Sequence, residues 1–317
     1  MNKMNSFIRS NKTIIFSYIT ALILFTVISI VRPDFASLNH IRVLIIDSAI
    51  VGIIALGQTF VIITGGIDIS IPWIVSSSAF FLTQLSSGKN DKLLIIIPLI
   101  LLCTTFIGLI NGLGIAYLGI TPIIMTLGMN SVLLGGLLGI TQGKPGSRTP
   151  TSIQFLANGS IIGIPTILIL WIIIIVVATV VLKKTAFGRQ LYIIGNNETV
   201  ALFSGINIRL TKLIVYCLSG FSGGLGGILL AGRVMQSYLG MGDSFLFLSV
   251  IVIIVGGASI LGGSGQYIGT VAGAFILTII NGILPVFRIP ASAQQVVYGV
   301  ILLIAVILTR SQESSKI

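Results

Sequence analysis

The stretch of sequence that decides the fold is GQTFVIITGGIDIS, residues 57–70. Its first part is apolar but carries hydrogen-bonding side chains at Gln58, Thr59 and Thr64, and a glycine pair then allows a helix to break. Asp68 follows at the start of a second apolar run. An ionisable residue at membrane depth is a functional candidate, although Asp68 can equally well cap a broken helix and never meet a solute. The stretch therefore indicates an interrupted transmembrane helix.

The composition of the whole chain supports a membrane location. Of the 317 residues, 55% are hydrophobic and 8% are charged, with a mean hydropathy of +1.13. A soluble domain carries roughly 25% charged residues. The net charge of +11 comes from basic residues at segment ends and in loops. This placement indicates contact with lipid headgroups and argues against a nucleic-acid partner. We predict an all-α polytopic membrane protein with one transmembrane domain over residues 1–317.

Apolar runs of spanning length predict about ten transmembrane helices. The first is expected to be a retained helix, because no small-x-small cleavage pattern follows it. The count falls to eight if 71–87 and 245–262 are re-entrant or broken. The predicted spans are 13–31, 41–64, 71–87, 93–118, 121–140, 161–182, 213–232, 245–262, 266–287 and 291–309.

Two polar stretches separate these spans. The inner loop, residues 183–212, holds the densest group of basic residues, which predicts that it lies in the cytoplasm together with both chain termini. The outer loop, residues 141–160, is rich in Gly, Pro, Ser and Thr and is expected to lie outside the cell, where a solute-delivery partner would dock.

The inner loop also predicts a short helix. Asn197 or Asn196 can cap its start, Glu198 suits its first turn, and Gly205 can end it. Its apolar side chains, Val200, Leu202 and Phe203, would then face either a docked protein, the chain's own bundle or the headgroups.

A faint internal repeat indicates inverted halves, spans 2–5 and spans 7–10, as in many transporters. The matching pairs are Asp68 with Asp243, Asn111 with Asn281, and Pro122 with Pro290. Polar side chains within or beside the spans either line a translocation pathway or bridge helices. The candidate pathway residues are Gln58, Thr59, Thr64, Asp68, Asn111, Asn130 and Asn281.

The chain lacks the residues expected of an enzyme. Its seven Asp and Glu residues are dispersed, and no GxxxxGK[ST] phosphate loop is present, so ATP hydrolysis would require a partner chain. His40 stands alone, and Cys103 and Cys217 are far apart, so we expect neither a metal site nor a bound cofactor.

Three motifs resemble one family. GQTFVIITGGIDIS resembles the signature of permease subunits of ribose-type ABC importers, which also serve other monosaccharides and autoinducer-2. KKTAFGRQLYIIGNNETVALFSGI resembles the inner loop of that family, and GGASILGGSGQYIGTVAGAFILTIINGIL resembles its glycine-rich C-terminal region. The resemblance covers residues 41 to 309.

The resemblance implies a fold of the vitamin-B12-importer type and import of a monosaccharide or sugar-like solute through the bacterial plasma membrane. It implies three kinds of partner: a second permease chain, identical or related, a cytoplasmic ABC ATPase dimer, and an extracytoplasmic solute-binding protein. The ATPase would contact the inner loop through Phe187, Gly188, Arg189, Asn197, Glu198, Leu202, Phe203 and Gly205.

Two departures from the family pattern leave the subfamily open, because Pro72 stands where glycine is usual and Leu202 where arginine is common. A branched-chain amino-acid ABC permease has a similar architecture, but its solute carries two formal charges. An ion-coupled secondary transporter needs intramembrane ionisable residues, for which Asp68 alone gives thin support. A polytopic membrane enzyme would need an acid/base or metal constellation, and none is present.

Overall fold

The computed structural model describes residues 12–286, 296–300 and 303, and most of these residues are helical. Apart from a 3₁₀ turn at Pro33–Ala36 and a two-stranded hairpin, β1 (Ser160–Ile161) and β2 (Ile164–Pro165), the regular elements are α-helices. The helices are α1 Lys12–Val31, α2 Leu38–Ile63, α3 Ile71–Ser86, α4 Leu93–Ala116, α5 Pro122–Thr141, α6 Thr151–Asn158, α7 Thr166–Lys184, α8 Ala186–Asn196, α9 Glu198–Phe203, α10 Ile208–Val234, α11 Phe245–Val255 and α12 Tyr267–Val286.

Seven of these helices are long and apolar enough to cross a membrane, namely α1, α2, α4, α5, α7, α10 and α12. These seven helices differ in how much of their length is buried. In α2, 83% of the most apolar 18-residue window is buried inside the bundle, whereas the corresponding share is 11% in α5. A helix that is apolar all round and yet exposed needs lipid as its solvent, so α1, α4, α5 and α7 form a lipid-compatible exterior around α2, α10 and α12.

The connections between helices gather on two opposite faces. Face A holds residues 64–70, 117–121, 185–207 and 256–266. On this face Tyr192 Oη donates to the carbonyl oxygen of Gly265 at 2.8 Å, and the Arg209 guanidinium lies 5.6 Å from the centre of the Tyr117 ring.

Face B holds residues 32–37, 87–92, 142–165 and 235–244. Here Asn90 Nδ2 donates to Thr151 Oγ1 at 2.8 Å, and the backbone N–H of Gly146 donates to the Ser237 carbonyl oxygen at 3.1 Å. Successive connections alternate between the two faces, as expected of a polytopic chain.

Helix α10 is the centre of the bundle, because its glycines allow α2, α3 and α4 to approach closely. A side chain at Gly220 would place its Cβ 2.1 Å from the Thr104 carbonyl oxygen on α4, and at Gly227 2.3 Å from the Val75 carbonyl oxygen on α3. Only glycine fits at such distances. Two helix pairs occupy corresponding positions in the two predicted halves of the chain: α10 packs on α4, and α2 packs on α12.

The predicted spans agree with the helices in order but not in every boundary. The span predicted at 245–262 is wrong at its end: α11 stops at Val255, where Gly256 and Gly257 turn the chain into a loop. The span predicted at 161–182 begins late, at Thr166, because the hairpin occupies the preceding residues. The outer loop contains the helix α6. The tenth predicted span, 291–309, lies largely outside the described residues.

Candidate functional site

The break between α2 and α3, residues 64–70, is hereafter the first break. Helix α2 ends where Gly65 adopts a φ of +79°, a left-handed conformation that glycine tolerates and other residues rarely adopt. The backbone N–H of Asp68 donates to Gln58 Oε1 at 3.1 Å. Since Gln58 lies more than a turn before the end of α2, the first break folds back along α2 before α3 begins.

Asp68 holds the first break in place. Its Oδ1 accepts from the backbone N–H of Ser70 at 2.9 Å and from Ser70 Oγ at 2.5 Å, and its Oδ2 accepts from Ser219 Oγ of α10 at 2.6 Å. Asn111 Nδ2 of α4 donates to Ser70 Oγ at 2.9 Å. Asp68 is 2% exposed. The carboxylate therefore ties the break to α10 directly and to α4 through Ser70.

The remaining pathway candidates lie apart from this cluster. Thr59 Oγ1 donates to the Ala55 carbonyl oxygen and lies 3.0 Å from Thr270 Oγ1 of α12. Thr64 Oγ1 donates to the carbonyl oxygen of Val61, close to the end of α2. Asn130 is half-buried on α5, and Asn281 on α12 accepts a hydrogen bond from Tyr298 Oη. The structure thus brings Gln58, Asp68 and Asn111 together and leaves the other four separate.

Three residues of the site were missed in the sequence. Ser70, Ser219 and Thr126 supply hydroxyl groups to the first break, with Thr126 Oγ1 accepting from the backbone N–H of Ile69 at 3.0 Å. Serine and threonine are common in transmembrane helices, where they usually bond to their own backbone. The only signal was the placement of Thr126 shortly after Pro122 in an apolar helix, which is too weak to identify it.

A second break, residues 235–244, separates α10 from α11 and enters the bundle from face B. Its Gly242 N–H donates to Ser76 Oγ of α3 at 3.0 Å, and a Cβ at Gly242 would lie 2.0 Å from the Pro72 carbonyl oxygen. Both breaks therefore reach the first turns of α3. Asp243 is exposed, and its carboxylate makes no hydrogen bond or ion pair with any described residue.

The inner loop forms two short helices on face A. Thr185 caps α8 by accepting from the Gly188 N–H at 3.1 Å, and Asn197 caps α9 by accepting from the Val200 N–H at 3.1 Å. Gly205, with a φ of +73°, follows the end of α9. The predicted short helix and its cap at Asn197 are confirmed, whereas Asn196 is the last residue of α8.

The side chains predicted for ATPase contact divide into exposed and packed groups. Leu202 and Phe203 are 62% and 86% exposed, and Arg189 is also exposed. Phe187 instead stacks on Phe60 of α2, with ring centres 6.4 Å apart, and Gly188 is buried. Glu198 forms an ion pair with Lys212 at 2.6 Å. The exposed apolar surface of α9 is the part available to another protein.

The part of the chain that the structure describes contains no metal-binding cluster. No group of three His, Cys, Asp or Glu side chains there could hold a metal ion, and Cys103 and Cys217 are free thiols. A lipid-compatible exterior, helices broken inside the bundle and a short helix with exposed apolar side chains on one face are features of a multi-pass membrane transport protein.

The particular family follows from comparison with known proteins. The chain belongs to the family described as "Branched-chain amino acid transport system / permease component", whose profile matches residues 41–306. It is 36% identical to the ribose import permease protein RbsC of Bacillus subtilis over 94% of this chain and 92% of that protein. No solved structure matches the chain significantly.

Two further relatives cover most of the chain. The ribose import permease protein RbsC of Haemophilus influenzae is 30% identical over 92% of this chain and 91% of its own length. The autoinducer 2 import system permease protein LsrD of Yersinia enterocolitica is 30% identical over 82% of this chain and 80% of its own. The predicted resemblance to ribose-type permeases is therefore confirmed, and the chain is a multi-pass permease subunit.

Proposed function

We propose that this chain is the transmembrane subunit of an ABC importer that carries a monosaccharide or a sugar-like solute into a bacterial cell. The observation that carries the proposal is α9, a capped helix that presents Leu202 and Phe203 to the solvent on face A. Isolated six-residue helices are unstable in water, so such a helix is built by its caps and its neighbours. Its exposed apolar surface suits a docking partner, which we take to be the cytoplasmic ATPase dimer.

This assignment makes face A cytoplasmic, together with both chain termini. The basic residues Lys183, Lys184 and Arg189 stand on that face, which agrees with the tendency of positive charge to remain inside. Face B is then extracytoplasmic and receives the solute-binding protein. The outer loop suits such a contact because it is anchored at several points, including Asn90 to Thr151 and Gly146 to Ser237. The membrane is the bacterial inner membrane.

We further propose a fold of the vitamin-B12-importer type with about ten helices and inverted halves. The reciprocal packing of α10 on α4 and of α2 on α12 supports the inverted repeat, since each pair joins the first helix of one half to the third helix of the other. A second permease chain, identical or related, would complete a pathway between two subunits. The candidate pathway residues Gln58, Thr59, Thr64, Asp68, Asn111, Asn130 and Asn281 remain a prediction.

The solute is assigned by the relatives whose names specify ribose or autoinducer 2. A branched-chain amino acid is the second candidate, favoured by the description of the matching family. An amino acid carries two formal charges that a pathway must accommodate, and the buried Asp68 carboxylate already accepts three hydrogen bonds. A neutral sugar makes smaller demands, because its selectivity can reside in the binding protein. ATP would be bound and hydrolysed by the partner ATPase.

Co-purification with the ATPase tests the docking surface. The chain is co-expressed with a candidate ABC ATPase from the same organism, as wild type and as Phe203→Asp, and the ATPase retained after affinity purification is measured. We expect the variant to lose at least about nine-tenths of the bound ATPase, because a charge replaces an exposed apolar contact without touching the core. Ile162→Asp is the matched control, since Ile162 is 96% exposed on face B.

Equal retention of the ATPase by Phe203→Asp and wild type would overturn the assignment of α9. Failure of the wild type to retain any ATPase, together with solute uptake driven by an ion gradient in ATP-depleted vesicles, would favour a secondary transporter. Uptake of radiolabelled ribose against radiolabelled leucine then separates the two solute classes.

A further inference from the structure

Three segments far apart in the sequence meet on face A in what we term the junction: the end of α8, the loop between α11 and α12, and the end of α2. The backbone N–H of Gly263 donates to the carbonyl oxygen of Ile63 at 2.9 Å. Asn196 Nδ2 donates to the carbonyl oxygen of Gly263 at 3.2 Å and to that of Tyr192 at 2.7 Å. The last turn of α8 is thus bonded to a loop that is itself bonded to α2.

The three backbones of the junction are in direct contact. A Cβ on Gly195 would lie 1.9 Å from the Ile63 carbonyl oxygen and 2.4 Å from the Gly263 nitrogen. On Gly262 it would lie 2.8 Å from the Gly65 nitrogen, and Gly262 also has a φ of +94°. Because neither contact passes through a flexible side chain, a displacement of α8 cannot be absorbed there and moves the other two segments.

A second connection lies one turn earlier on α8. Tyr192 Oη donates to the carbonyl oxygen of Gly265 at 2.8 Å, and the Tyr192 carbonyl oxygen receives the bond from Asn196. The loop is therefore held at Gly263 and again at Gly265, immediately before α12 begins at Tyr267. Two separate bonds resist rotation of the loop as well as its withdrawal.

The junction has the proposed docking helix on one side and the first break on the other. Asn196 directly precedes Asn197, the residue that caps α9. Ile63 directly precedes the first break, whose other end is fixed to α10 by Asp68 and Ser219. A movement of α9 therefore reaches the first break through one short, rigid path, and reaches α12 through the same loop.

We propose that Tyr192, Gly195 and Asn196 are positioning residues that transmit movement of α9 to the first break and to the start of α12. The inference rests on the proposed function, since the movement would come from a docked ATPase. Coupling between distant sites requires a contiguous physical connection whose arrangement both sites bias, and the junction supplies one. The Glu198–Lys212 pair also links α9 to α10, but an ion pair whose carboxylate side is half exposed contributes little rigidity.

The test is amide hydrogen exchange of the intact permease–ATPase complex, with and without ATP and vanadate, which needs no knowledge of the solute. In the wild type we expect nucleotide to change exchange in residues 64–70 and 262–266. In the double variant Tyr192→Phe/Asn196→Ala we expect at least about two-thirds of that change to disappear, while the ATPase stays bound and hydrolyses ATP. Tyr18→Phe is the matched control, because Tyr18 Oη donates to the Ile268 carbonyl oxygen near the junction but outside it.

A full nucleotide response in the double variant, or no response in the wild-type complex, would overturn the inference while leaving the proposed function intact. If the double variant does not assemble, Tyr192→Phe alone removes one hydroxyl and is expected to lower the response by about a third. If the wild-type chain retains no ATPase, the proposed function fails first, and the inference falls with it. Co-purification thus distinguishes the two failures.

Discussion

The two breaks in the helical bundle have similar sequences but are held by different means. Each has a glycine in a left-handed conformation, Gly65 with a φ of +79° and Gly240 with a φ of +74°, shortly before an aspartate and a short helix. Asp68 is buried and accepts three hydrogen bonds, whereas Asp243 is exposed and bonds to no described residue through its carboxylate. The second break is held instead by the backbone of Gly242 and by a hydrogen bond of 2.7 Å between the hydroxyl groups of Ser237 and Thr83 of α3.

The difference teaches that a local pattern specifies where a helix breaks but not what holds the break. The first break lies against α10 and α4, which offer Ser219 and Asn111. The second break lies against the first turns of α3, which offer a carbonyl oxygen and the Ser76 hydroxyl. Asp68 thus acts as a structural anchor in this conformation, whereas the Asp243 carboxylate anchors no described residue.

The largest effect should come from removing the Asp68 carboxylate, compared with removal of the Asp243 carboxylate. Asp68→Ala leaves the Ser219 hydroxyl and both Ser70 donors without their acceptor inside the bundle, so we expect a loss on the order of 3 kcal/mol in the free energy of unfolding. Asp243→Ala removes an exposed side chain and should change stability by less than about 0.5 kcal/mol. Thermal or denaturant unfolding of the purified variants in one detergent measures both.

Asp68→Asn sharpens the same comparison, because it keeps the shape of the side chain but replaces one acceptor oxygen with a donor. The free energy of unfolding of Asp68→Asn should lie between that of the wild type and that of Asp68→Ala. Equal destabilisation by Asp68→Ala and Asp243→Ala would show that the two breaks are held alike and would contradict the comparison.

The second-largest effect should come from replacing a glycine in each break by alanine, with the larger loss of stability now expected in the second break. Gly242→Ala would place a methyl group 2.0 Å from the Pro72 carbonyl oxygen, a backbone atom that cannot move without shifting α3. Overpacking of this kind costs about 1–3 kcal/mol, and we expect a value near the upper end. Gly66→Ala in the first break meets the Tyr216 hydroxyl at 2.6 Å, the far end of a side chain, so its loss should be smaller.

The same unfolding measurement decides this prediction. Gly135→Ala on α5 is the control for the change of residue alone, since nothing lies within 4 Å of a Cβ at that position. It should be neutral or slightly stabilising, because alanine favours a helix over glycine. A larger loss for Gly66→Ala than for Gly242→Ala would mean that the first break also depends on a close backbone fit.

Local features of the chain were predictable from the sequence. The first break follows from two adjacent glycines between apolar runs, and α9 follows from Asn197 and Gly205, whose capping roles depend only on neighbouring residues. The apolar runs also gave the order of the long helices. Each of these features is decided within a few residues of chain, which is the range over which sequence patterns act.

Features that depend on distant contacts were not predictable. Nothing near Ser219 indicates that it bonds to Asp68, because the two residues are brought together only when α10 packs on the first break. The end of α11 was placed too late, since the residues after Val255 remain apolar although Gly256 and Gly257 turn the chain. The helix α6 was missed because its sequence is polar enough for a loop.

The smallest effect concerns the hydroxyl groups that support each break from another helix. Thr126 Oγ1 accepts from the Ile69 N–H in the first break, and Ser76 Oγ accepts from the Gly242 N–H in the second. Thr126→Val and Ser76→Ala each leave one N–H without its partner, a partly buried one at Ile69 and a buried one at Gly242. We expect each variant to lose about 1 kcal/mol in the free energy of unfolding, with the two values close to each other.

Ser131→Ala on α5 is the control, because Ser131 Oγ bonds to the Leu127 carbonyl oxygen in its own helix and is exposed. It should leave stability within about 0.3 kcal/mol of the wild type. Similar losses for Thr126→Val and Ser76→Ala would locate the difference between the breaks in their aspartates and glycines alone. A Thr126→Val loss several times that of Ser76→Ala would instead mean that the whole polar cluster around Asp68 acts as one unit, since removing one member would then weaken the bonds of the others.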